Sequence, residues 1–322
     1  MNGIDIRPDV SLVIVNWNTK DLVLKCIKSA IDTGGAYAQE IIVVDNASGD
    51  DSVEAIKRDY PDVIVIRNEE NCGFARANNI GIGKSKSRYV CLVNSDVQVL
   101  GRTIGYLIDY MDQNPRVGIA GPKILWPDMT LQDSCRKFPT LWTKLCETVA
   151  LNRLFPNSSV FSGEHMQFFA HDRIMKVDSL AGCFMMIRKT ALKEVGLFDE
   201  EYFIYSEETD LCKRCSAHGW DIEFLPEVCV VHHHAASTAK DPVRFAVEQQ
   251  RSLLKYWRKH HSLLSRACIY VLLFLHHAVR YTAGYLIYAV SPAVKDKAAR
   301  NMEQHRESLK ALFSPNPLTA SH

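Results

Sequence analysis

Tyr89-Val-Cys-Leu-Val-Asn-Ser-Asp-Val-Gln-Val99 is the stretch whose reading decides the fold. Tyr89 to Val93 is a short unbroken apolar run, the pattern of a buried strand. It then breaks into Asn94-Ser95-Asp96, three small polar residues that favour a turn. In an open α/β sheet, ligands bind beyond the carboxyl ends of the strands. A carboxylate on a tight turn there can hold a divalent cation through hard oxygen contacts. In isolation such a tripeptide is more often a turn whose Asp only hydrogen-bonds its own backbone. The neighbouring segments reverse that preference.

Upstream, Ser11–Asn16 is another buried-strand run, followed by a helical pattern capped by Asp21 with Val23, Cys26, Ile27, Ala30 and Ile31 on its apolar face. Glu40–Val44 is a second strand, which runs into Asp45-Asn46-Ala47-Ser48-Gly49-Asp50-Asp51 and a short helix, Ser52–Arg58. Val63–Arg67 is a third strand, and Asn68–Gly73 leads into a helix through Ala75, Asn78, Asn79 and Ile82. After the central stretch come a helix, Thr103–Met111, and a fifth strand, Val117–Ala120. Strands alternating with helices predict a parallel sheet covered on both faces. Right-handed crossovers put the loops after Val15, Val44, Arg67 and Val93 along one edge. Those loops hold the polar residues and contain neither G-x-G-x-x-G nor G-x-x-x-x-G-K, so the dinucleotide and P-loop readings lack their phosphate cradle.

Downstream, Leu125–Met175 is irregular, with Pro127, Pro139 and Pro156, and an insert of this kind beside a sheet edge suits acceptor recognition. Val177–Ile187 reads as a strand interrupted by Gly182, and Lys189–Val195 as a short helix. Ser206 is placed as an N-cap, with Glu207 and Glu208 in the first turn of a helix to about His218. Two acids there also simply complement the helix dipole. Asp221–Leu225 and Val228–Val231 read as two short strands around Pro226, the second ending in His232-His233-His234. Consecutive residues on a strand face opposite ways, so one of these histidines can ligate a metal.

A net charge of +1 gives no electrostatic footprint for nucleic acid. Met1 to Val10 lacks the apolar core of a signal peptide, so the ten scattered cysteines are expected as reduced thiols in a cytosolic protein. Cys212 and Cys215 fall on one helix and read as packing rather than zinc chemistry. From Asp241 the character changes. Arg251, Lys255, Arg258, Lys259 and Arg266 make a basic helix, and the apolar stretch Leu263–Val290 is interrupted by Arg266, His276, His277 and Arg280. That favours an amphipathic helical pair at a membrane surface over a spanning helix, with a helical cap on the catalytic domain as the equal alternative. Pro315 to His322 reads as a loose tail. The expected domains are 1–240 and 241–322.

Seven stretches, in order, resemble the inverting glycosyltransferases of family 2, and most of all their rhamnosyltransferase-type members: Val13 to Thr19, Ile42 to Asp51, Asn71 to Asn79, Leu92 to Asp96, Ala181 to Ile187, Gly196-Leu-Phe-Asp199 through Glu208-Thr-Asp-Leu211, and Val231-His-His. The resemblance implies the GT-A fold, a Rossmann-like mixed, mostly parallel sheet that binds nucleotide sugars, here with a C-terminal helical extension. It implies that Asp45 contacts the base, with Asn16, Asn46 and Asp51 nearby. Asn71, Gly73, Arg76 and Asn79 would line the donor pocket. Asn94-Ser95-Asp96 stands at the family's metal-binding acidic motif, so Mg²⁺ or Mn²⁺ would sit on Asp96, with His232 helping to bind metal or diphosphate. Glu208 stands where the family has its base, usually Asp; both acids are Glu here, which leaves Glu207 as a second candidate.

The implied reaction moves a sugar, rhamnose in the favoured reading, from deoxythymidine-diphosphate-rhamnose or another nucleoside-diphosphate donor. The implied acceptor is a saccharide, polyprenyl-diphosphate-linked, met at the inner face of the cell membrane in cell-surface polysaccharide synthesis. Such transfer needs charge stabilisation on the leaving diphosphate and a base at the acceptor hydroxyl. A nucleotidyltransferase is the first rival, but Asn16-Trp-Asn-Thr19 occupies the place of its basic, glycine-rich loop. A non-catalytic membrane-bound scaffold is the second, and intact Asp45, Asp96 and Glu208 argue against it.

Overall fold

The computed structural model describes residues 7–233, 241–290 and 295–314. The expected loose tail, His234 and most of the N-terminal segment lie outside the described residues. The first compact unit comprises residues 1–138 and 165–237, and the second residues 139–164 and 238–322.

The first unit begins with four βα repeats. They are β1 (Val10–Asn16) and α1 (Lys20–Asp32), β2 (Gln39–Asp45) and α2 (Ser52–Asp59), β3 (Ile64–Arg67) and α3 (Phe74–Lys84), then β4 (Tyr89–Asn94), β5 (Val97–Val99) and α4 (Thr103–Gln113). β1 pairs parallel with both β2 and β4, and β2 with β3, so their carboxyl ends share one edge. Val10, Leu12, Val13, Ile14, Val90, Cys91 and Leu92 have no exposed surface. Burial on both faces is why these strands read as continuous apolar runs rather than alternating ones. Gly81 of α3 lies against Val13 of β1, where a Cβ would overlap the valine, so the helix packs directly on the strand.

β6 (Val117–Leu125) follows, then β7 (Leu131–Gln132) and β8 (Cys135–Arg136). α5 (Leu141–Thr148) and α6 (Leu151–Leu154) form within the stretch read as irregular, α5 starting at a reciprocal Thr140/Thr143 cap. β9 (Met175–Lys176), β10 (Ser179–Leu180), β11 (Phe184–Arg188), α7 (Lys189–Val195), α8 (Glu207–Ala217) and β12 (Asp221–His232) complete the first unit. The sheet order is β3-β2-β1-β4-β11-β6-β12-β5, with β7 added to β6 and β9 to β12. β11 runs antiparallel between β4 and β6, and β12 runs parallel to β6 and antiparallel to β5. This is the mixed sheet of the GT-A fold.

Three local expectations are corrected. α1 begins at Lys20, with Asp21 inside its first turn, and the Lys20 N–H is satisfied by Asp50 Oδ2 at 2.8 Å. The two strands around Pro226 are one strand, β12, in which a register shift between Leu225 and Cys229 absorbs the proline. Ser206 holds the N-cap position of α8, as expected, but its side chain makes no capping hydrogen bond; Tyr205 and Ser206 both adopt left-handed backbone, φ 71° and 68°.

In the second unit, α9 (Pro242–His260), α10 (Leu263–Val290) and α11 (Lys295–Phe313) pack together with α5 and α6, so the expected helical pair is a trio. Gln250 Nε2 donates to Ser308 O at 2.8 Å, which ties α9 to α11. Arg280 Nη2 donates to Glu147 O at 3.0 Å, and Lys144 sits between Glu147 and Glu164 at 3.1 and 2.8 Å. The Arg280 bond shows how a charged residue sits within the apolar helix α10. α10 is 28 residues long, enough by length and composition to cross a membrane. This differs from the sequence reading, which weighed its interruptions rather than its length. Leu264, Val271, Leu275, Val279 and Leu286 remain exposed along α10. Leu141, Trp142 and Leu145 of α5 face Ala267, Cys268, Val271 and Leu272 across an apolar groove of about 510 Å³.

Candidate active site

The loops after β1, β2 and β4 are joined by one buried hydrogen-bond network. Asn16 Nδ2 donates to Asp45 Oδ2 at 2.9 Å and to Ser48 Oγ at 3.1 Å, and the Ser48 N–H donates to Asp45 Oδ1 at 3.0 Å. The Thr19 hydroxyl lies 2.7 Å from Asn16 Oδ1 and 2.8 Å from Ser95 Oγ. Asp45 is thereby connected, through Asn16 and Thr19, to the turn that carries Asp96. Asp45 and Asn16 are fully buried, so in this conformation they brace the loops.

Asn46, Asn71 and Gly73 form a second cluster. Asn46 Nδ2 donates to Asn71 Oδ1 and Gly73 O, both at 3.2 Å, and Asn71 Oδ1 also accepts from the Gly73 N–H at 3.0 Å. Gly73 is at φ 85°, and a Cβ there would lie 2.5 Å from Phe203 O, so only glycine lets the 203 loop close on α3. Asn79 is engaged elsewhere. Its amide donates to Phe198 O at 2.8 Å and Glu200 Oε1 at 3.0 Å, and its Oδ1 accepts from the Phe198 N–H at 3.0 Å. It clamps the 196–200 loop rather than presenting a free amide. Arg76 is exposed and 3.8 Å from Glu200. Asp51 is exposed at the start of α2, and its neighbour Asp50 makes the contacts there.

Asp96 and His232 come together because Val97 of β5 pairs with His232 of β12, and the His233 N–H donates to Asp96 O at 3.0 Å. His232 Nε2 lies 3.3 Å from Asp96 Oδ1, and both side chains are at least nine-tenths buried. The other ring nitrogen, Nδ1, is 2.8 Å from Gln132 Oε1 on β7. Burial opposes charge on this imidazole. Cys183 and the Asp96 carboxylate, both bonded to it, outweigh burial and push His232 up to about 10. The turn is therefore no surface feature; Asp96 is only 8% exposed. Asn94 donates its N–H to Cys183 O at 2.9 Å, while its buried Oδ1 has no hydrogen-bond partner among the described residues.

Two ligands 3.3 Å apart match neighbouring corners of a six-coordinate site with metal–ligand bonds of about 2.1 Å. An ion there must displace the proton that His232 shares with Asp96; a Nδ1–H donated to Gln132 would then leave the Nε2 lone pair to the ion. The carboxylate oxygen suits Mg²⁺ or Mn²⁺, while the imidazole nitrogen tips the pair toward the softer Mn²⁺. Among the described residues no group of three His, Cys, Asp or Glu is placed to hold an ion. The donor set therefore fits a cation whose remaining ligands are water and diphosphate oxygens.

Glu207 and Glu208 open α8 directly after the left-handed Tyr205-Ser206 turn. Glu207 is 3% exposed and its Oε2 has no hydrogen-bond partner among the described residues. Burial, then repulsion from Glu208, raises its carboxyl well above the ordinary range. Burial also raises Glu208, but its own backbone N–H and then the Arg136 guanidinium pull it partly back. The two halves of the site meet at Gly182-Cys183. A Cβ on Gly182 would lie 3.5 Å from Glu208 Cβ, and Cys183 bonds His232 and Asn94.

Gln132, Cys183, Arg136, Thr19 and Ser95 were not singled out from the sequence. Gln132 and Arg136 lie in two-residue strands whose partners are far away in the chain, and no local spacing marks them; Cys183 lies within Ala181 to Ile187 but carried no role there. Ser95 sat inside a quoted motif but carried no role until Thr19 was seen against it.

Residues 11–196 match the family described as glycosyl transferase family 2. The chain is 29% identical over 233 residues to an N-acetylglucosaminyl-diphospho-decaprenol L-rhamnosyltransferase of Mycobacterium tuberculosis, covering 69% of this chain and 75% of that one. It is 25% identical over 230 residues to the dTDP-rhamnosyl transferase RfbF of Shigella flexneri, covering 70% of each. Among solved structures it resembles the mannosyltransferase PcManGT from Pyrobaculum calidifontis, in complex with GDP-Man and Mn²⁺, with a TM-score of 0.56 at 14% identity over 95% of this chain and 88% of that one. That likeness shows the fold, while the family match covers more than half of the chain. The chain belongs to glycosyltransferase family 2 and is rhamnosyltransferase-like within it.

Proposed function

We propose that the protein is an inverting, divalent-cation-dependent transferase of cell-surface polysaccharide synthesis. It moves rhamnose from dTDP-rhamnose to a saccharide carried on a polyprenyl diphosphate, at the cytoplasmic face of the membrane. One observation carries the reading: adjacent residues, Gly182 and Cys183, touch Glu208 on one side and the Asp96–His232 pair on the other. A base and a cation site thus flank one small region of backbone, as in-line displacement with inversion needs. The printed activities of the mycobacterial and Shigella relatives support the sugar and the lipid-linked acceptor.

In this mechanism Asp96 and His232 Nε2 would hold Mg²⁺ or Mn²⁺, which when bound offsets negative charge on the leaving diphosphate. Asn71, Gly73 and Arg76 would line the donor side, and Asp45 and Asn46 would set the loop that meets the base. Glu208 would take the proton of the acceptor hydroxyl. Burial raises both carboxyls, but Glu208 is pulled back by its own backbone N–H and by the Arg136 guanidinium while Glu207 is pushed further up by its neighbour, which favours Glu208 over Glu207 as the base. The test is hydrolysis and transfer by the purified full-length protein across a panel of nucleotide sugars, with Mn²⁺, Mg²⁺ or EDTA. dTDP-rhamnose should turn over fastest and EDTA should abolish the reaction. Turnover of no nucleotide sugar, with calorimetric binding of none, would sink the enzyme reading.

The second unit would meet the membrane through α10. The basic residues Arg258, Lys259 and Arg266 would attract anionic headgroups at about 1 kcal/mol per well-placed charge. Val271 and Leu275, 60% and 46% exposed, then bury apolar surface. Full-length protein should sediment with anionic vesicles at low salt, and Val271→Asp with Leu275→Asp should release it. A wild-type chain that stays wholly in the supernatant at low salt removes the membrane claim.

A further inference from the structure

The base side of the site carries cations to which the reaction above gives no contact with a substrate. Arg136 ends β8, and its pairing with Ser179 sets it beside β10, the strand that leads to Gly182 and the Glu208 side chain. Its guanidinium contacts His165 Nδ1. Lys213 lies on α8, five residues after Glu208, with its Nζ 4.3 Å over the Phe138 ring; Lys137 Nζ lies 5.0 Å over the Phe168 ring. All three basic side chains are half-buried, their stems on protein and their heads held by aromatic faces or imidazole. The nearby Asp178 carboxylate is engaged by the Phe138 N–H at 2.8 Å.

We infer that this cationic rim is the seat of the acceptor's diphosphate: Arg136 with His165, flanked by Lys137 and Lys213, holds the phosphates that join the acceptor sugar to its lipid. The inference rests on the proposed transferase reading and adds the part of the acceptor that the protein grips. The hydroxyl that Glu208 deprotonates and the anomeric phosphate belong to the same sugar, so a phosphate site must lie one ring away from the base. An anionic acceptor entering beside two carboxyl groups is repelled unless cations offset them. Arg136 is suited to this place, because a guanidinium fork grips phosphate oxygens in pairs, which an ammonium cannot. The aromatic faces hold the two lysines near it, which limits the side-chain entropy lost on binding.

The test uses the full-length protein and two acceptors with the same sugar: N-acetylglucosamine linked by diphosphate to a short lipid, and its uncharged octyl glycoside. The readout is the ratio of kcat/KM for the charged over the uncharged acceptor, which cancels any general effect on Glu208 or on folding. Arg136→Gln should lower that ratio by about 10- to 100-fold, mostly through KM for the charged acceptor. Arg136→Lys should recover part of it, since it restores the charge without the fork. Lys137→Gln with Lys213→Gln, at positions away from the core, should lower the ratio by a smaller factor. An unchanged ratio in Arg136→Gln, with both acceptors falling together, overturns the inference. So does a wild-type protein that glycosylates both acceptors equally well. A wild-type protein that turns over no nucleotide sugar, with or without acceptor, fails at the earlier step and overturns the transferase reading instead.

Discussion

Asp96→Ala is expected to cut turnover by about a thousandfold, with no rescue by raising Mg²⁺ or Mn²⁺. A bound cation supplies several kcal/mol of charge stabilisation to a leaving diphosphate, which corresponds to a factor of that size. His232 alone cannot hold the ion in place of the carboxylate. Because Asp96 is buried against His232, the variant also changes stability, and the pH dependence separates the two effects. His232 stands at about 10 in the folded protein, against an ordinary value of 6.5, so the folded state binds its proton more tightly. That stabilisation is fully present below about pH 6.5 and is lost as pH rises toward 10. Asp96→Asn, which keeps the shape, should therefore melt well below wild type at pH 6 and close to it at pH 10. Kinetics at pH 8 and melting curves from pH 6 to 10 check both parts. Near-normal turnover in either variant, with the cation present, removes Asp96 from the metal site.

Glu208→Gln should lower kcat by about 10²- to 10⁴-fold, the usual contribution of a general base, while KM for the donor changes little. The amide keeps the volume and loses only the proton acceptor. It should also make the protein more stable at neutral pH. Burial holds the Glu208 carboxyl above its unfolded value. Between the two values the native state binds more protons than the unfolded chain, so stability falls as pH rises through that window. Removing the ionisable group removes the loss, and melting at pH 7 should rise by a few degrees. In wild type the acid limb of kcat/KM should lie above the ordinary carboxylate range, since the base works only when ionised. A Glu208→Gln protein that remains active while Glu207→Gln is dead moves the base one residue earlier.

Much of this architecture is written locally. Val10 to Asn16, Gln39 to Asp45 and Tyr89 to Asn94 are apolar runs each ending in a polar residue, and each is a central parallel strand with its polar end at the ligand edge. Burial on both faces demands such runs, so the pattern is read without tertiary knowledge. The acids that open α8 and the turn after β4 were legible for the same reason: small polar or charged residues interrupt strong periodicity. The irregular stretch Leu125–Met175 was not legible. Its strands are two residues long, and its helices α5 and α6 gain their stability from packing with the C-terminal helices, which local propensity does not encode.

The sequence by itself determined the βα order and the polar edge, and it marked Asp45, Asp96, Glu208 and His232 as candidates. It did not determine which of these side chains meet. Asp96 reaches His232 because β5 turns back and pairs antiparallel with a strand 135 residues away, Val97 against His232. Strand register is set by the burial pattern of both partners and by the strands between them, and a slip of one residue would turn the imidazole to the other face. The same long-range pairing carries Gln132 to the imidazole and Arg136 toward Glu208. It also explains why Asn79, quoted for the donor pocket, clamps Phe198 and Glu200 instead. Which polar atom finds which partner is decided when distant segments are packed and every buried donor and acceptor must be satisfied. That demand belongs to the folded chain as a whole and leaves no mark on any short stretch of it.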